Sequence, residues 1–121
     1  DVYYFDLDFD VLCSLAAAPK SFTALPVYPS VKRDMAIVVP VTVAAGEMVS
    51  AIRRNRDTLI EDVCIFDVYQ GKNIKSGYKS VAISVTFRSA TKTLTEKNVE
   101  KSNRKIVDLL TEQFGASLRD A

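Results

Sequence analysis

Asp67, Tyr69 and Ser80 are the residues best suited to chemistry: a carboxylate, a phenol ring and a hydroxyl in a sequence otherwise poor in reactive groups. A carboxylate accepts hydrogen bonds from the amino and imino groups of a nucleobase, and a serine hydroxyl can donate or accept. An aromatic ring stacks on any base, a contact worth about 1–3 kcal/mol. Readers of single-stranded RNA select splayed loop bases with this chemistry. The same residues also suit a plainer role, because polar and aromatic side chains commonly end strands and a serine can simply face water. Residue type alone leaves both readings open. Lys72, Lys75 and Lys79 lie close by in sequence and are candidate phosphate contacts. Lys97, Lys101, Arg104 and Lys105 follow later, and for them a solvated helix face is the default.

Other chemistries are excluded by what is missing. The chain has no histidine, which rules out Ser-His-Asp and Cys-His catalysis and removes the commonest metal ligand. Cys13 and Cys64 form no C-x-x-C pair, so zinc and thioredoxin-type roles lack support, and both read as buried structural thiols. No catalytic residue, metal site or cofactor is expected. The 121 residues are 48% hydrophobic and 26% charged, which suits one globular domain. The net charge of +1 hides an asymmetry. Residues 1–26 hold four aspartates and one lysine, net −3, while residues 27–121 hold 15 basic and 11 acidic side chains, net +4. A mildly basic domain permits contact with a phosphate backbone without requiring it. No apolar run approaches a membrane span, and the acidic, alternating start is not a signal peptide, so no membrane contact is expected. A reducing cytoplasm fits the two cysteines.

Elements that position the candidate residues follow from periodicity. Residues 2–12 alternate, with Tyr3, Phe5, Leu7, Phe9 and Val11 opposite Asp6, Asp8 and Asp10, and predict a strand. Leu15–Pro29, with Pro19, Pro26 and Pro29, reads as a linker. Residues 1–26 are therefore expected to be a strand and linker from a preceding domain, and 27–121 the domain proper. There, strands are expected at 33–39, 59–69, 78–88 and 116–119, and helices at 44–54 and 96–114. Thr95 reads as the N-cap of the second helix and Gly115 as its stop. Arg53, Arg54 and Arg56 crowd the end of the first.

The order β-α-β-β-α-β is the ferredoxin-like arrangement, an α+β fold with a four-stranded antiparallel sheet and both helices on one face. Alternation sends Val81, Ile83, Val85 and Phe87 toward the helices and Ser80, Ala82, Ser84, Thr86 and Arg88 to the open face. On the preceding strand, Cys64, Phe66 and Val68 are expected inward, and Asp67 and Tyr69 outward with Ile65 behind them. Two rivals remain from the residues alone. One is a protein-interaction module using the same face. The other is a small enzyme of the acylphosphatase kind, which would want an arginine in a Gly-rich phosphate cradle. The loop 70–77 has Gly71, Asn73 and Gly77 but no arginine.

Tyr28–Val39 (YPSVKRDMAIVV), Ile65–Gly71 (IFDVYQG), Ser80–Arg88 (SVAISVTFR) and Thr93–Thr95 (TLT) occur in an order and spacing that resembles the ferredoxin-fold anticodon-binding domain family. Such domains close the β subunit of bacterial phenylalanyl-tRNA synthetases, and the resemblance covers nearly the whole chain. It implies a non-catalytic appendage that binds the anticodon stem-loop of phenylalanine tRNA. The implied protein partners are the remainder of the β subunit and the α subunit, which carries the aminoacylation site. The family's D-x-Y pair is matched by Asp67 and Tyr69, implying hydrogen bonding and stacking with the first anticodon base, a guanine. The family's serine is matched by Ser80, implying contact with another anticodon base. The chain departs from the family pattern at Gln70, where a basic residue is expected, and at Asn98, where an acidic one is. Two readings stand for Arg33 and Asp34, an ion pair that holds the strand end or an RNA contact by Arg33, and the structural one is expected.

Overall fold

Stretches with alternating apolar residues become strands, and stretches with apolar residues three and four apart become helices. The structure is a computed structural model that describes residues 1–15, 21–22, 24–55 and 57–119. Its elements are α1 (Phe9–Ser14), β1 (Val31–Pro40), α2 (Ala45–Arg54), β2 (Ile60–Tyr69), β3 (Tyr78–Phe87), α3 (Glu96–Phe114) and β4 (Ser117–Leu118). The strands form one antiparallel sheet in the order β2-β3-β1-β4. From β1 onward this is the ferredoxin-like α+β fold.

The core lies between one face of the sheet and the two long helices. Ile37 and Val39 of β1 meet Val81, Ile83, Val85 and Phe87 of β3, all at most 1% exposed. Met48 and Ile52 of α2, and Val99, Ile106 and Leu110 of α3, close over them. Each such side chain contributes about 1.5–3 kcal/mol by leaving water.

Local polar contacts fix the helices. The Thr95 hydroxyl caps α3 by accepting from the Asn98 N–H. Thr95 also donates its hydroxyl to the Asn98 side-chain oxygen, a side-chain pair that differs from a capping box, where the third residue accepts from the cap's backbone N–H. At the other end the Gly115 N–H bonds the Thr111 carbonyl, and its left-handed φ of 62° turns the next N–H, of Ala116, back to the Leu110 carbonyl. Asp57, its side chain 8% exposed, ties the turn before β2 to α3. It accepts from the Leu59 N–H (3.1 Å) and the Ser102 hydroxyl (2.8 Å), with Lys105 Nζ at 3.7 Å. Arg33 pairs with Glu96 in the first turn of α3, not with Asp34. Its parity on β1 matches that of Met35 and Ile37, so it stands on the helix side of the sheet.

The first 15 residues depart from expectation. The strand over 2–12 is absent, and Phe9–Ser14 is a short helix. Asp8 Oδ1 caps it, accepting from the Asp10 and Val11 N–H groups at 3.0 and 3.1 Å. A strand needs a neighbour for its backbone groups, and no described strand pairs with this stretch. A cap needs only adjacent residues, so the local solution prevails. Residues 1–15 are all exposed, Cys13 among them, which corrects the expectation of a buried thiol there. Pro19 and Lys20 of the expected linker, and Arg56 after α2, lie outside the described residues.

Where the linker joins the domain, Arg88 holds it. Its guanidinium donates to the Tyr28 carbonyl (2.7 Å) and to Glu61 Oε1 (2.8 Å). Arg88, placed on the open face by alternation, thus has its guanidinium committed to these two partners. The strand ends at Phe87, and past that point the alternation no longer applies. No described helix is long and apolar enough to cross a membrane.

Candidate nucleic-acid interface

The open side of the sheet is set by β3. With Val81, Ile83, Val85 and Phe87 facing the helices, Tyr78, Ser80, Ala82, Ser84 and Thr86 face the other way. Strand β2 reaches this arrangement through two irregularities. Register shifts at Ile60/Asp62 and Ile65/Asp67 leave Glu61 and Phe66 as extra residues. Before the second shift, Val63 and Ile65 pair with Val85 and Ile83 and join the core side. After it, Asp67 and Tyr69 pair with Ala82 and Ser80 on the open side, and Val68 pairs with Val81. The expected inward placement of Cys64 and Phe66 is thereby corrected, as is the expected outward placement of Ile65, which joins the core side. Cys64 pairs with Ser84, is exposed and carries a free thiol, and Phe66 is 59% exposed. One extra residue inverts the phase of everything before it, as a β-bulge must.

Two cross-strand rows then carry the candidate residues. The first runs Tyr69, Ser80, Val38, Ser117 and the second Asp67, Ala82, Ala36. The Arg119 N–H donates to the Ala36 carbonyl at 2.9 Å and extends the second row just past β4. Three strand spacings, about 14 Å, separate Tyr69 from the β4 side of the sheet. Small side chains between them leave the way clear, and the Arg119 guanidinium sits 5.6 Å from the centre of the Tyr69 ring. That is cation–π range. A similar pair stands at the same end of the sheet, with Lys75 Nζ 5.5 Å from the centre of the Tyr78 ring.

The structure thus brings Asp67, Tyr69 and Ser80 together. Asp67 is exposed, Tyr69 is 39% exposed and Ser80 is 3% exposed. Ser80 occupies a central strand between the larger Tyr69 and Val38, which accounts for its cover. Lys72 is exposed in the loop between β2 and β3. Lys79 is not brought to this face. Its parity is that of Val81, and its Nζ donates to the Val41 carbonyl at 3.2 Å. Of the α3 cations, Arg104 pairs with Glu100 and Lys105 with Asp57, in keeping with a solvated helix face.

Arg119 and Tyr78 were missed from sequence. Tyr78 was available from the alternation that selected Ser80. Arg119 had no comparable signal, because a two-residue strand has no periodicity to read. Among the described residues, no three His, Cys, Asp or Glu side chains gather to hold a metal ion.

Residues 26–119 match the family described as the ferredoxin-fold anticodon binding domain. The whole chain is similar to the phenylalanine–tRNA ligase beta subunit of Desulfotalea psychrophila, at 61% identity over 121 residues, 100% of this chain and 15% of that one. The same subunit from Clostridium tetani is 43% identical over 117 residues, and that from Bacillus subtilis 40% identical over 119. These alignments cover 97% and 98% of this chain, respectively. The chain spans 15% of the length of each of these relatives.

Proposed function

Because the chain belongs to the ferredoxin-fold anticodon binding domain family, we propose that its open sheet face receives the anticodon stem-loop of phenylalanine tRNA. The observation that carries this reading is the meeting of Asp67, Tyr69 and Ser80 in two adjacent rows over a floor of small side chains. The Tyr69 ring stacks on an unpaired base, and the Asp67 carboxylate accepts from that base's amino or imino groups. Guanine, with an N–H and an NH₂ on one edge, is the base that best satisfies a lone carboxylate. Ser80 supplies a hydroxyl to a neighbouring base. Arg119 adds positive charge beside the ring, and Lys72 is placed to meet phosphate. Lys79 has no part in this face.

The domain acts as a non-catalytic appendage within a phenylalanyl-tRNA synthetase β subunit, with the aminoacylation chemistry on the α subunit. The relatives' name supports the placement in such a β subunit. Two free, exposed thiols suit a reducing cytoplasm. Three base contacts and a few phosphates, set against the cost of docking, yield modest affinity for this chain alone. Linked contacts elsewhere in a synthetase would raise it.

Titration of this chain with a phenylalanine-tRNA anticodon stem-loop at two salt concentrations tests the proposal. Salt-sensitive binding that favours the cognate loop over one with a changed first anticodon base supports it. Absence of binding even at low salt would instead assign the face to a protein partner.

A further inference from the structure

We propose that Gly71 is a positioning residue for the Tyr69 ring: its bare Cα is the shelf on which the ring rests. This deepens the RNA-binding reading of the open face and rests on it. Glycine is usually explained by backbone freedom, and that explanation fails here. Gly77 and Gly115 have positive φ values of 85° and 62°, in the region that favours glycine. Gly71 does not, so its backbone is open to other residues.

Space supplies the reason instead. A Cβ on Gly71 would lie 2.1 Å from the Tyr69 hydroxyl oxygen, 2.4 Å from Cζ and 3.0 Å from Cε1. All three of its nearest neighbours belong to that one ring. At Gly46, Gly77 and Gly115 an added Cβ would meet nothing within 4 Å. Tyr69 thus folds back over the chain two residues downstream, where only a missing side chain leaves room for it. The Arg119 guanidinium, 5.6 Å from the ring centre, adds a cation–π contact to the same ring.

Held between these contacts, the ring is set before a base arrives. A stacking side chain that is already placed loses less rotamer freedom on binding than a free one. Gly71 therefore acts through Tyr69 and needs no contact with RNA.

Three variants separate this from the alternatives: Gly71→Ala, Tyr69→Ala and the double variant. Each is titrated with the stem-loop, and the Tyr69 ring resonances are recorded by NMR in wild type and Gly71→Ala. The expected result for Gly71→Ala is an unchanged melting temperature, displaced ring resonances and affinity about 2- to 10-fold weaker, the size of freeing one side chain. Adding Gly71→Ala to Tyr69→Ala should change nothing further. The proposal is overturned if the ring resonances stay put, or if Gly71→Ala weakens binding equally without the Tyr69 ring. If Tyr69→Ala binds like wild type, the RNA reading of the face fails. The ring resonances then still decide whether Gly71 places the ring.

Discussion

The two faces of β3 are built from one ten-residue strand and do opposite work. Toward the helices stand Val81, Ile83, Val85 and Phe87, each 0% exposed. Away from them stand Tyr78 at the strand's first position and then Ser80, Ala82, Ser84 and Thr86, none of these four large. The first row excludes water with bulk. The second is low enough for side chains from the sheet edges, Tyr69 and Arg119, to lean over it. On the proposed reading, stability and recognition share a backbone but few side chains, so substitutions on the two faces should separate cleanly into effects on unfolding and effects on binding.

The largest effect should come from Phe87→Ala. Emptying that buried volume should cost about 3–5 kcal/mol of stability by denaturant unfolding, while the protein that remains folded binds RNA normally. A loss of intrinsic affinity would break the separation. Next is Tyr69→Ala, which should remove about 1–3 kcal/mol of stem-loop binding and leave the unfolding midpoint nearly unchanged. Ser102→Ala takes one of three partners from Asp57 and belongs wholly to the helix side. It should lower stability by about 1–2 kcal/mol, as measured by thermal melts, with no change in RNA affinity. Smallest is Arg119→Ala. It should weaken binding by about 0.5–1 kcal/mol and reduce its salt dependence, seen by repeating the titration across ionic strengths. If it also lowered stability appreciably, β4 would depend on that side chain and the two faces would be coupled at the sheet edge.

Much of this was legible in the sequence, and the parts that were not share physical causes. The order of elements followed from alternation and from the apolar spacing of the helices, and Thr95 and Gly115 marked the ends of α3 through their own chemistry. Ser80 followed from the alternation of β3. Asp67 and Tyr69 were assigned outward for an incomplete reason. A uniform alternation along β2 put them there only by putting Cys64 and Phe66 inside, whereas the structure reaches the same end through an extra residue at Phe66. Nothing in the residue types marks that bulge, because either phase offers apolar side chains to the core. Lys79 is different. Its parity was readable from Val81, and closeness in sequence to Ser80 obscured it. Arg88 and Arg119 both lie just beyond a strand's last residue, where periodicity ends and tertiary partners decide. The opening stretch Tyr3–Val11 carries a strand's pattern without a strand's neighbour, and its own Asp8 redirects it into a turn of helix.

Arg88's hold on the Tyr28 carbonyl also has a mechanical consequence. Tyr28 lies three residues before β1, which is hydrogen-bonded to β3 over ten consecutive pairs and to β4 on its other edge. Tension along the N-terminal segment would enter the sheet there, partly through the guanidinium and partly along the axis of β1. A ladder loaded along its strands shares force among many bonds at once instead of opening them singly. Ser80 lies eight residues from Arg88, about 25 Å along the strand. The face that would carry RNA thus stands at the far end from the anchor, where a tug on the tether is spent before it arrives.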